Sequence, residues 1–272
     1  VKGFGGNAGQ GFRVEDVLHA SDVPVRPIAP GTVVFVFQKG SQRGPVPSPL
    51  GDFVVVQHDR GFRSIYGHLD PASIRSNLKV VTQHTVVGRS GESGYSEQSG
   101  LSLRVIDSKR HRLVNPLVVL PSLRDRLDPE VHAVYLKSTG LAPLTEGLVI
   151  RPGRWSVLAD ISDQGQGTGA PAPVAPYSLD LSLDGTQISH VEFQDLRFRK
   201  GELFLDSSYR WNFDALYLGR SLYNLGEPDL QAGTHSLRLR TTDFAGHETI
   251  VNRTIIAEIP SPLPAAPAGA KP

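Results

Sequence analysis

From Val23 onward apolar and polar positions alternate in short runs, and glycine or proline separates one run from the next. A period of two with such punctuation predicts strands rather than helices. In the first half the runs are Val33 to Phe37, Phe53 to Gln57, Arg63 to Tyr66, Val80 to Val87 and Leu101 to Ile106. The breaks between them, such as Ala29-Pro30-Gly31, Lys39-Gly40, Arg60-Gly61 and Gly91 to Gly94, have the spacing of an antiparallel all-β domain that closes near Pro121. A polar joint with interleaved Arg and Asp, 122–130, precedes a second set of runs. These are Val131 to Leu136, Trp155 to Ile161, Tyr177 to Leu183, Val191 to Phe198, Glu202 to Leu205, Ser236 to Arg240 and Glu248 to Ile256. Asp184-Gly185 signals a hairpin, as does Asp243 to Gly246 between the last two strands.

The pattern divides the chain into a first domain at 1–121, a linker at 122–130 and a β-sandwich at 131–259. Within the sandwich, 207–228 loses alternation but carries Tyr209, Trp211, Phe213, Tyr217 and Tyr223, and so reads as an insertion with its own packing. Aromatics of this size bury most of their surface by default, although Tyr and Trp also anchor interfaces. Residues 165–175 read as a Gly/Pro/Ala-rich loop, 38–51 as a long connection beside a cleft, and the Pro/Ala-rich 260–272 as an extended tail.

Length and composition narrow the function. At 272 residues there is room for two cores. With 28 Lys+Arg against 27 Asp+Glu, the net field does not favour nucleic acid or an anionic membrane as the main partner. The absence of cysteine excludes disulfides, a thiol nucleophile and Cys-ligated zinc, so any metal would need His, Asp or Glu. No apolar run reaches the roughly 18–20 residues of a membrane span. No anchor is visible.

Three blocks, in order, carry a family resemblance. Residues 16–34 read DVLHASDVPVRPIAPGTVV, 54–69 read VVVQHDRGFRSIYGHL, and 86–94 read VVGRSGESG ahead of the strand Gly100-Leu101-Ser102-Leu103-Arg104-Val105, with Asn115-Pro116 downstream. Together they resemble the LytM/lysostaphin-like zinc endopeptidases from about Phe12 to Leu120. The resemblance implies a LytM-type antiparallel sheet, and a cleft in which members of the family hold zinc with a His, an Asp four residues later and the second His of a His-Leu-His motif. Position by position, those ligands fall on Phe12, Asp16 and Ser102. The first His of the motif falls on Gly100, the family's final Glu on Arg104, and the catalytic His on His68, with Tyr66 beside it in the groove.

Phe and Gly offer no metal donor, and a catalytic zinc uses three protein ligands, so the resemblance implies a degenerate site with no cofactor and no hydrolysis. His19 is the available substitute ligand beside Asp16, though a surface histidine is its plainer reading. His58 and His84 read as structural, hydrogen-bonded histidines. In the second half, Ala232 to His247 resembles the closing hairpin of bacterial immunoglobulin-like domains. The expectation is therefore an all-β, non-catalytic LytM-like protein of the bacterial periplasm or cell envelope, binding peptidoglycan or regulating a cell-wall hydrolase such as an amidase. Two other classes stay open. One is a zinc endopeptidase with unorthodox ligands (Asp16, His19, His68), and the other an envelope scaffold or adhesin acting through the sandwich.

Overall fold

The computed structural model describes residues 21–38, 48–94, 100–120, 126–164, 173–174, 176–205, 211–219 and 221–259. The first half contains β1 (Pro24–Val25), β2 (Gly31–Phe37), β3 (Asp52–Gln57), β4 (Phe62–Leu69), β5 (Val80–Val81), β6 (Gly88–Arg89), β7 (Ser102–Asp107), β8 (Arg112–Val114) and the single turn α1 (Pro116–Val119). The second contains β9 (Glu130–Lys137), β10 (Leu141–Pro143), β11 (Leu148–Ile150), β12 (Gly153–Arg154), β13 (Ser156–Gln164), β14 (Pro173–Val174), β15 (Ser178–Leu183), β16 (Thr186–Glu192), β17 (Asp195–Arg199) and β18 (Glu202–Phe204). It ends with α2 (Phe213–Leu216), β19 (Leu222–Asn224), β20 (Asp229–Leu230), β21 (Gly233–Thr242) and β22 (Glu248–Ala257). The fold is all-β.

An eight-stranded sheet in the order β18-β17-β8-β7-β4-β3-β2-β5 dominates the first half. Alternation along β3, β4 and β7 sends Val54, Val56, Tyr66, Leu103 and Val105 to one face, where they join Val25, Leu69, Val81 and Val87 in a core. The predicted strand from Val80 to Val87 is only Val80–Val81. Thr82 and Thr85 close a tight turn through their hydroxyls and the bond from Thr85 N to Thr82 O, and this ends the ladder early.

In the second half, β10-β9-β13-β14, with β19 also on β13, faces β11-β22-β21-β15-β16. Val134, Leu136, Val157, Ala159 and Ile161 of one sheet share a core with Leu179, Leu181, Leu237, Leu239 and Ile255 of the other. The aromatic segment packs into this core. Phe213 and Tyr223 are buried, and Tyr217 stacks among Phe193, Phe213 and Tyr223 with ring centroids 4.5–6.0 Å apart. Tyr209 lies outside the described residues.

One departure from the sequence reading reorganises the domain picture. The apolar run Val191 to Phe198 is two strands that belong to different sheets. β16 pairs with β15 in the second half, whereas β17 pairs with β8 and, with β18, extends the first sheet. Buried Asn115 makes the switch. Its amide donates to the Gln194 carbonyl at 2.8 Å and its side-chain Nδ2 to the Phe193 carbonyl at 2.8 Å, so the carbonyls freed where β16 ends find partners in the first half. Leu196 then enters the second core from a strand of the first sheet, and Leu113 of β8 packs against the same core. Residues 195–204, expected within a self-contained sandwich at 131–259, thus complete the sheet of the first domain.

Charge reinforces this junction. Arg112 Nε donates to Asp107 Oδ2 at 3.1 Å and its Nη1 to Asp195 Oδ2 at 2.5 Å, while Arg197 Nε reaches Asp195 Oδ1 at 3.2 Å. Burial pushes the Asp107 carboxyl up, but hydrogen bonds from Arg110 and Arg112, with the Arg112 charge, outweigh it and hold the group below the usual carboxylate range. A carboxylate depressed in the folded state stabilises above its unfolded pKa, about 4, and that contribution disappears as pH falls through the folded value. The melting temperature is therefore expected to drop as pH falls below about 4. Asp107→Asn should flatten that acid limb while lowering the melting temperature at neutral pH, as thermal melts across pH would reveal.

Candidate functional site

β4 does not end as a plain strand. Asp52 pairs with Leu69 and Val54 with Tyr66, so Gly67 and His68 together oppose the single residue Phe53. This is a β-bulge, the device that re-aims a side chain out of the sheet alternation. His68 takes φ 60°, a left-handed conformation that costs a non-glycine residue about 1 kcal/mol or more.

Three hydrogen bonds hold it there. The His68 amide donates to Leu50 O at 2.7 Å, its carbonyl accepts from the Gly91 amide at 2.8 Å, and its ring Nδ1 lies 2.7 Å from the Ser93 carbonyl. A carbonyl only accepts, so Nδ1 is the nitrogen that donates. The side chain is buried, at 5 % exposure.

The turn that clamps His68 is itself clamped. Ser93 Oγ donates to Leu69 O at 2.7 Å and accepts from the Asp52 amide at 2.9 Å. Gly51 (φ 62°) and Gly94 (φ 82°) let the two segments touch, for a Cβ on Gly51 would stand 2.3 Å from the Ser93 carbonyl carbon. Gly91 continues the path, accepting from the Gly100 amide at 3.0 Å, and Ser102 sits opposite Gly67 across the β4–β7 ladder. His68, Gly91, Gly100 and Ser102 therefore meet at one end of the large sheet. Sequence reasoning missed the clamp, Ser93 with Leu50 and Gly51; the signal was a Ser in the glycine-rich turn opposite a Gly just before a strand.

Residues 13–116 match the model of peptidase family M23. This segment is a LytM/lysostaphin-like domain. Residues 128–258 match a second family model that carries no description, and no curated protein matches the sequence. Among solved structures, a catalytic-domain mutant of the prophage-encoded M23 protein EnpA from Enterococcus faecalis is 24 % identical, with a TM-score of 0.26. That alignment covers 32 % of this chain and 61 % of the EnpA chain. Lysostaphin from Staphylococcus simulans is 11 % identical over 76 % of both chains at a TM-score of 0.28. Its NMR solution structure is 12 % identical, covering 75 % of this chain and 76 % of its own, at 0.30.

Within the LytM-like domain the expected site residues separate. Tyr66, expected beside His68 in the groove, is a core residue at 1 % exposure, because alternation turns it to the same face as Ser64 and Val56. Its Oη receives the Ile28 amide at 2.8 Å and the Ser64 hydroxyl at 2.9 Å, and burial pushes the phenol up. His58 is tied to the same group, with Nε2 2.7 Å from Ser64 Oγ and Nδ1 2.9 Å from the Pro30 carbonyl. His84 is exposed on the Thr82–Thr85 turn.

Phe12, Asp16 and His19 lie outside the described residues. Zinc takes imidazole, thiolate or carboxylate, and neither Gly100 nor Ser102 supplies one, so these two positions do not fit the family's metal. Among the described residues no group of three or more His, Asp and Glu is placed to hold a metal ion. No helix among them is long and apolar enough to cross a membrane.

Proposed function

We propose that this is a non-catalytic LytM-like protein of the bacterial periplasm or cell envelope, whose cleft holds a peptidoglycan peptide without cutting it. The observation that carries the reading is a contrast within one strand end. The scaffold around His68 has its bulge, left-handed backbone and Ser93 clamp, whereas the motif resemblance sets Gly100 and Ser102 against the family's imidazoles. Shape and backbone hydrogen-bonding groups can hold an extended peptide without a metal, but cleavage needs an activated water that Gly and Ser cannot prepare. A segment of a cell-wall hydrolase such as an amidase is the other occupant this cleft could take.

Purified full-length protein, supplied with zinc, is expected to co-sediment with sacculi and to release no soluble muropeptides by chromatography. Muropeptide release that is lost in Asp16→Ala or His68→Ala, together with near-stoichiometric zinc in the protein, would overturn the reading in favour of an enzyme with unorthodox ligands. Binding unchanged by His68→Ala and by bulky substitutions along the cleft would instead favour a scaffold acting through the second half. Cutting the chain at the linker would not separate these cases, because 195–204 belongs to the first sheet.

A further inference from the structure

The near-zero net charge conceals a local excess at the end of the large sheet opposite His68. Three turns meet there. The Asp59–Gly61 turn between β3 and β4 accepts the Ser108 amide on Gly61 O at 3.0 Å, and the stem of Lys109 lies against Gly61. The Ser108–His111 turn leads into β8, whose pairing of Arg112 with Arg197 sets it beside the β17–β18 hairpin tip at Lys200-Gly201.

Exposed on these tips are Arg60, Lys109, Arg110, His111, Arg199 and Lys200. Asp107 and Asp195 are engaged from within by Arg110, Arg112 and Arg197, which leaves Asp59 and Glu202 as the exposed carboxylates among the described residues of the three tips. Across β4, β7, β8, β17 and β18 the basic row runs roughly 20 Å at ordinary strand spacing. Amid it Phe198 is 69 % exposed, flanked in sequence by Arg197 and by Arg199 and Lys200.

We propose that this end of the sheet docks on an anionic lipid bilayer. Cations alone would suit any polyanion, but an exposed phenyl ring on the same hairpin gains most where an apolar layer lies just beneath the phosphates. A planar bilayer also meets three adjacent turn tips at once, whereas a soluble polymer is ordinarily held along a groove. β4 starts at this end with Phe62 and reaches His68 as its seventh residue, so a docked molecule holds its cleft about 20 Å from the lipid surface, facing away from it. The charge balance argues against such a partner only if charge is spread evenly, and here it crosses both halves of the chain to gather at one edge.

The test is co-sedimentation of the full chain with phosphatidylcholine vesicles, with and without a third of phosphatidylglycerol, at low and high salt. Binding is expected only to the anionic vesicles and should weaken with salt. Lys109→Glu with Lys200→Glu should lower partitioning about tenfold or more. Phe198→Ser should lower it without changing its salt dependence, and Phe198→Trp should add blue-shifted emission on anionic vesicles relative to the parent chain.

Equal binding to neutral vesicles would overturn the proposal. So would undiminished binding by the charge-reversed variant at an unchanged melting temperature, or binding to heparin or duplex DNA with no partition to vesicles. The vesicles contain no peptidoglycan, so these results stand apart from the reading of the cleft.

Discussion

Arg112→Ala is expected to lower stability by about 3 kcal/mol, a drop of about 6–12 °C in melting temperature for a chain of this size. The loss comes from what remains behind. Asp107 and Asp195, 0 % and 8 % exposed, would both lose the guanidinium that joins them, leaving Asp107 with Arg110 and Asp195 with Arg197, and a buried carboxylate short of a partner costs more than the intact pair stabilises. Water reaches the guanidinium, 24 % exposed, which keeps the expected value at the lower end for a buried pair. Because the cause is a buried charge left with one partner fewer, Asp195→Asn should cost less in the Arg112→Ala background than in the parent, with a coupling of about 1–2 kcal/mol in a double-mutant cycle. Additive single effects would show instead that Arg112 acts through packing alone. The parent is expected to melt in one transition, since the two halves share a sheet, a core contact at Leu196 and this ion network.

Gly51→Ala is expected to cost about 3–4 kcal/mol and to lower the melting temperature by about 10 °C, although it adds a single carbon. About 1 kcal/mol comes from placing a Cβ at φ 62°. The rest comes from contact with Ser93, whose carbonyl carbon would lie 2.3 Å away and whose three bonds, to His68, Leu69 and Asp52, cannot all survive the shift. Gly185→Ala separates the two contributions. It sits at φ 78° with nothing within 4 Å of its would-be Cβ, so it should cost only the backbone share. If the cleft binds peptide as proposed, Gly51→Ala should also weaken sacculus binding, for His68 loses the carbonyl that orients its ring, while Gly185→Ala should leave binding intact. Equal stability losses in the two variants would show that the Ser93 clamp gives way freely.

Much of the strand pattern was legible because its causes are local. The β3–β4 and β21–β22 hairpins follow from alternation bounded by Asp59 to Gly61 and Asp243 to Gly246, and side-chain direction alone places Val54, Val56 and Leu103 in the core. Strand register, which carries a linear pattern into space, brings His68, Gly100 and Ser102 to one end of the sheet. Tyr66 lies in the core for an equally local reason: residues two apart in a regular strand share a face, and only the bulge at Gly67 and His68 turns His68 out of the alternation that buries Tyr66.

What the chain determined by itself, then, is its all-β character, the order of its strands and the Gly and Ser that stand at positions 100 and 102. Those are properties of residue type and short spacing. The tertiary structure alone decided which edge β17 joins, that Asn115 would receive the chain at Phe193 and Gln194, and that basic turns from both halves would lie side by side. A two-residue period specifies which face of a strand is apolar but not which neighbour it pairs with. Pairing is settled by long-range closure, where a buried amide finds its carbonyls and an arginine its carboxylates.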